Sequence, residues 1–209
     1  MIMVRNLSHL VVEHPFGEFP GIFLFRDQRQ RFFHISHFFW SDLNAVLTEH
    51  GAPVLGVVYV PVTGVCYLAV RGQGAWKEQG GCNRMPIRVR RYHGGHATVV
   101  ASRSHRGDAV DKFLANLKAR EGDYDTASLG SSLKLCRVAE GAADVYPRLG
   151  PTSEWDTAAA QCVVESAGGR VTDLDGQPLR YNKPNILNPW FLVTGGNGYN
   201  WHALLGHAG

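Results

Sequence analysis

The spacing of apolar residues changes character near residue 45. From there to residue 194 they recur with strand and helix periods, whereas Phe23 to Trp40 is crowded with aromatics and histidines in no clean period of 2 or 3.6. Val54–Val60 is an unbroken apolar run that predicts a buried strand. Pro61 and Gly64 turn it into a second strand, Val65–Val70, and Gly72 opens a third short one. Ile87–Arg90 alternates like a half-exposed strand, and Ala97–Ala101 reads as a buried strand ending at Ser102. Asp108–Leu117 places Val110, Phe113, Leu114 and Leu117 on one helical face. Ser131–Ala139 is a second helix stopped by Gly141, and Ala143–Tyr146 a short strand. The clearest helix follows Asp156, because Trp155, Ala158, Ala159, Cys162, Val163 and Ser166 share one face and Gly168 ends it. Arg170–Thr172 and Trp190–Thr194 complete the strands, and the Gly- and Asn-rich tail from Gly195 is expected to be flexible.

With 209 residues, 44% of them hydrophobic, the chain can build one sizeable core or two smaller ones. Strands and helices interleaved with 24 glycines and 10 prolines predict an α+β fold rather than a bundle. The net charge of +3 is too small to announce nucleic acid. Arg and Phe interleave over residues 25–33, but residues 1–50 hold four Arg against five acids, so nucleic-acid binding is not expected. Arg88, Arg90, Arg91, Arg103 and Arg106, with Arg84 beside them, fill an acid-free stretch that reads as a solvated strand edge or an anion-attracting rim. The four cysteines form no zinc-like spacing, and Cys136 and Cys162 read as buried thiols in a reduced, cytoplasmic setting. No apolar run approaches the length of a membrane span.

Four local features carry candidate chemistry. Ser102–His105 follows a buried strand, where α/β sheets present ligand groups. Gly130, Ser131, Ser132 and Lys134 open a helix with hydroxyls and an ammonium suited to phosphate, although a serine there is also an ordinary cap. Arg148 ends a short strand with a cation, and Asp156 puts a carboxylate at a helix start, where the dipole alone explains many acids.

In this order, Ser102–His105, Gly130–Lys134, Tyr146–Arg148 and Trp155–Ala159 resemble the inositol monophosphatase-like superfamily, and more closely its 3'(2'),5'-bisphosphate nucleotidase branch (CysQ type). The resemblance continues through Glu49–Val62, Gly74–Lys77 and Leu187–Phe191 and covers about residues 45–194. It implies a layered αβαβα sandwich of the sugar-phosphatase type, mainly its carboxy-terminal half. It also implies Mg²⁺-dependent removal of the 3'-phosphate from adenosine 3',5'-bisphosphate, giving AMP, within sulfur metabolism. Under it Asp156 binds metal and lies near the ribose. Gly130, Ser131, Ser132, Lys134 and Arg148 contact substrate, and His105 makes a nucleotide-side contact. A cytoplasmic location, with bacterial inner-membrane periphery as a family variant, and an open oligomeric state that includes a homodimer go with it.

The family's Glu-Glu pair and Asp-Pro-Leu-Asp-Gly-Thr string occur nowhere in the chain. Asp173–Gly176 looks similar but follows the Asp156 helix and reads as a surface turn. Glu13, Glu18, Asp27 and Asp42 are the only acids before Glu49, and none has a matching context. His34 and His37 are poor substitutes where hard Mg²⁺ wants oxygen. The expected organisation is therefore a divergent segment 1–44, a phosphatase-like domain 45–194 and a flexible tail 195–209. The chain reads as a truncated or reading-frame-altered relative with an incomplete metal-ligand set and no assigned catalytic residue. A non-catalytic nucleotide- or phosphate-binding remnant and an interaction protein are the alternative readings.

Overall fold

A computed structural model describes residues 11–12, 22–26, 31–38, 42–80, 82–101, 107–130, 132–196 and 198–206. The first strands are β1 (Val11–Val12), β2 (Ile22–Arg26), β3 (Arg31–Phe38) and β4 (Asp42–Glu49). They continue into β5 (Ala52–Val60), β6 (Val65–Val70), β7 (Gly74–Gln79) and β8 (Cys82–Ile87), which together form an eight-stranded antiparallel meander in chain order. The second sheet uses β9 (Ala97–Val100), β10 (Tyr124–Ala127), β11 (Val145–Arg148), β12 (Arg170–Asp173) and β13 (Phe191–Thr194), in the order β10-β9-β11-β13-β12. In it β9 runs parallel to β10 and β11, while β13 is antiparallel to β11 and β12. The helices are α1 (Asp108–Glu121), α2 (Leu133–Ala139) and α3 (Ala158–Ser166).

The period of 2 in the small sheet sorts its side chains into two cores. Val100, Tyr146, Phe191 and Val193 face α2, α3 and the large sheet, whereas Ala97, Val99, Val145 and Leu192 face α1. The layers therefore run large sheet, α2 and α3, small sheet, α1, which are four successive layers of an αβαβα sandwich. Helix α3 lies in a trough of small residues. Val46, Gly56, Ala69 and Ala75 stand in one registered row across β4 to β7. A Cβ on Gly56 would collide with the Ala159 carbonyl oxygen and come within 2.8 Å of the Cys162 Cβ. The alanine run at the start of α3 completes this close approach of helix to sheet.

Several expectations shift. The strand read at Ile87–Arg90 ends at Ile87, because Val89 donates its N–H to the Ala167 carbonyl and Arg90 turns to Asp144. Asp144, 2% exposed, accepts Arg90 Nε at 2.6 Å and the Thr98 N–H at 2.6 Å. Arg84 likewise pairs with Glu78 at 3.1 Å, so these two arginines are engaged in structure rather than forming an anion rim. The short strand read at Ala143–Tyr146 lies two residues later, with Pro147 admitted because β9 pairs with β11 only at Val145. The tail from Gly195 does not fray over its described part. A 3-10 turn at Trp201–Leu204 buries both end residues against α1, where apolar burial outweighs glycine entropy. Among the described residues no helix is long and apolar enough to cross a membrane.

Candidate functional site

Four element ends meet at one edge of the layer between the sheets. Asp42 begins β4, Ser132 and Lys134 begin α2, Arg148 ends β11, and Asp156 precedes α3. Asp156 closes a 3-10 turn, Glu154–Asp156, rather than lying in the first turn of α3. Its Oδ2 accepts the Ser153 N–H at 2.8 Å, which fixes the carboxylate's rotation. Burial holds the Asp156 carboxyl above the usual aspartate range, and the charge of Asp42 acts in the same sense. Arg148 and Lys134 oppose that shift. Burial, and then Arg148, lower the Lys134 ammonium, whose Nζ stands 5.7 Å from the centroid of the Tyr146 ring.

Three of the residues expected at the site, Lys134, Arg148 and Asp156, thus feel one another's charges. Ser132 joins them through the chain at α2 and is 1% exposed. Gly130 is exposed two residues before it, and His105 and Ser131 lie outside the described residues. The Ser132 backbone N–H is donated to Asp42 Oδ2 at 3.2 Å. Asp42 is 1% exposed and is the site residue that sequence reasoning passed over. Its only local signal is a carboxylate at an inward-facing position of an alternating strand.

The Asp156 segment is pinned by the connection from Tyr181 to Asn188. Asn188 Nδ2 reaches the Ser153 carbonyl at 2.8 Å, Thr157 Oγ1 at 3.0 Å and Thr152 Oγ1 at 3.2 Å. The buried Glu154 carboxylate accepts the Asn182 N–H at 2.7 Å, the Lys183 N–H at 3.1 Å and Lys183 Nζ at 2.5 Å. Asn182 adopts φ 62°, a left-handed conformation that Asn tolerates better than most residues, and its Nδ2 donates to Thr48 Oγ1 at 2.9 Å. Asn188→Ala should therefore lower unfolding free energy by about 1–3 kcal/mol, the cost of orphaning buried acceptors, measured by urea denaturation. A loss within the noise of the measurement would show that Asn188 does not hold the segment.

Among the described residues, no three His, Cys, Asp or Glu side chains are grouped to hold a metal. Mg²⁺ commonly takes only one or two carboxylates and completes its shell with waters and substrate phosphate. The half-buried, hard-oxygen Asp156 fits one such shared ion. A carboxylate-bridged pair of ions would need more acids than the described site contains.

The model of the inositol monophosphatase family matches residues 45–204. The chain is 48% identical to the 3'(2'),5'-bisphosphate nucleotidase CysQ of Salmonella typhimurium over 153 residues, 73% of this chain and 59% of that protein. It is 47% identical to the CysQ nucleotidase of Escherichia coli K12, with the same coverage of each chain. It spans about three fifths of the length of these relatives. Among solved structures, CysQ from Bacteroides thetaiotaomicron is 41% identical, with a TM-score of 0.66 over 76% of this chain and 63% of that one. An inositol monophosphatase from Anabaena is 27% identical, with a TM-score of 0.61 over 78% of this chain and 65% of that one. Together with the two-sheet, interleaved-helix architecture, these matches place the chain in the inositol monophosphatase family.

Proposed function

We propose that the site binds a 3'(2'),5'-bisphosphate nucleotide and hydrolyses one phosphomonoester, releasing the 3'-phosphate of adenosine 3',5'-bisphosphate and leaving AMP. The observation that carries this reading is the convergence of Lys134, Arg148 and Asp156 at one edge of a scaffold about 47% identical to named nucleotidases. Lys134 and Arg148 offset the charge of the phosphate oxygens. A bound phosphate dianion also favours the charged form of the Lys134 ammonium, opposing the lowering by burial. Asp156, held by the Ser153 N–H, faces the reacting group as a fixed carboxylate and would hold Mg²⁺ there. When bound, Mg²⁺ supplies Lewis-acid charge to the phosphate oxygens.

A second reading, nucleotide binding without turnover, is favoured by the shortage of acids in the described site. One measurement separates them, namely phosphate release from adenosine 3',5'-bisphosphate with Mg²⁺ alongside equilibrium binding of the same nucleotide. Release supports the first reading, binding without release the second, and neither sinks both.

The raised Asp156 carboxyl fixes the sign of the pH dependence. It takes up its proton at a higher pH than an ordinary aspartate, chiefly because it is buried. Protonation removes the anion that would hold Mg²⁺, so phosphate release should fall toward acid pH. A rate that does not fall toward acid pH would remove Asp156 from the reaction.

A further inference from the structure

Two buried oxygens beside Asp42 have no partner. Ser132 is 1% exposed and Asn44 6%, and neither Ser132 Oγ nor Asn44 Oδ1 makes a hydrogen bond. Both residues are bonded to the same Asp42 oxygen, Ser132 through its backbone N–H at 3.2 Å and Asn44 through Nδ2 at 3.4 Å. Exchanging the oxygen and nitrogen of the Asn44 amide would turn its carbonyl oxygen against the carboxylate, so the hydrogen bond fixes the orientation with Oδ1 unpaired. Lys134 senses the charge of Asp42 but donates to neither orphan. Each buried polar atom left without a partner costs about 1–3 kcal/mol, and here two such atoms belong to residues bonded to one carboxylate.

A carboxylate, an amide oxygen and a hydroxyl oxygen are hard donors, and a carboxylate and an amide oxygen are acceptors only. One water could serve the three only by donating to the carboxylate and the amide oxygen while accepting from the Ser132 hydroxyl, whereas a cation uses a lone pair of each oxygen. We propose that Asp42, Asn44 Oδ1 and Ser132 Oγ form a binding site for a hard divalent cation, Mg²⁺ or Mn²⁺, beside Asp156. Waters complete the shell, as Mg²⁺ usually retains several. The site draws on strand β4 and the start of α2, so occupancy ties these two elements together. Asn44 and Asp42, two apart on β4, face the same side of the strand, which is what lets one ion reach both.

The test is Mn²⁺ titration followed by electron paramagnetic resonance, on the full chain without nucleotide, so that it does not depend on phosphate release. Asp156→Asn removes the neighbouring carboxylate and should still bind one Mn²⁺. Adding Asp42→Asn, which keeps an acceptor for the Ser132 N–H, should weaken that binding by about tenfold or more, at least the loss seen when outer-shell groups are removed. Adding Ser132→Ala to Asp156→Asn removes only the hydroxyl and should weaken it in the same direction. This variant carries the test if the Asp42 variant does not fold. Equal Mn²⁺ affinity in Asp156→Asn and in the folded double variants overturns the proposal. So does the absence of binding by Asp156→Asn, which would leave water as the partner of both oxygens.

Discussion

Asp156→Asn should reduce phosphate release by about a thousandfold or more, equivalent to about 4 kcal/mol of transition-state stabilisation, while raising the melting temperature at neutral pH. The first half follows from charge. The amide keeps an oxygen to accept the Ser153 N–H, so the 3-10 turn and the Asn188 bonds survive, but no anion remains to hold a cation beside the phosphate. Nucleotide binding through Lys134 and Arg148 is retained, so the change falls on kcat. The second half follows from the direction of the pKa shift. Burial raises the Asp156 carboxyl in the folded chain, so the unfolded chain ionises first as pH rises. Stability is lost between the ordinary aspartate value and the raised one, and it stays lost above. Asparagine never ionises and avoids that loss at pH 7, with no advantage below the ordinary aspartate range. Phosphate-release kinetics and thermal melts at the two pH values check both halves. A variant that releases phosphate like the parent, or melts lower at neutral pH, contradicts the role given to Asp156.

Gly56→Ala should destabilise the fold by on the order of 3 kcal/mol, because the added methyl meets backbone rather than a side chain that can swing away. At this chain length the corresponding fall in melting temperature is roughly 6–12 °C. The Cβ would press on the Ala159 carbonyl and lie 2.8 Å from the Cys162 Cβ, so strand and helix must separate. Gly56 itself is flanked in register by Val46 and Ala69, which leaves β5 no lateral room to yield. Because α3 starts two residues after Asp156, the separation also displaces the site, and any folded fraction should show weakened activity. Differential scanning calorimetry measures the first effect. An unchanged melting temperature would mean that the helix does not lie as close to the sheet as described.

Periodicity made α3 legible, since its apolar face and terminal glycine are both written locally. The same holds for α1, whose Val110, Phe113, Leu114 and Leu117 are all buried. Edge elements were less legible. The strand Tyr124–Ala127 has its two central residues exposed and carries no apolar run, so only its parallel pairing with β9 defines it. The misplaced strand at residues 87–90 alternated correctly but was captured by partners far along the chain, Ala167 and Asp144. At the candidate site, Lys134, Arg148 and Asp156 were legible because their neighbours form strings with a known resemblance. Asp42 carries no such string. What brings it into the site is a bond to an amide 90 positions later, and no local pattern encodes that distance. Asn188 is similar, because its partners Thr152, Ser153 and Thr157 lie 36, 35 and 31 positions earlier in the chain.

The Ser132 N–H has a consequence for how the molecule opens. Amides at the start of a helix lack an intrahelical acceptor and commonly exchange with solvent as fast as the end frays. This one is bonded to a buried carboxylate at the start of β4, so it exchanges only when the start of α2 leaves that strand. Its lifetime in amide hydrogen exchange therefore reports the opening of the contact between the large sheet and α2.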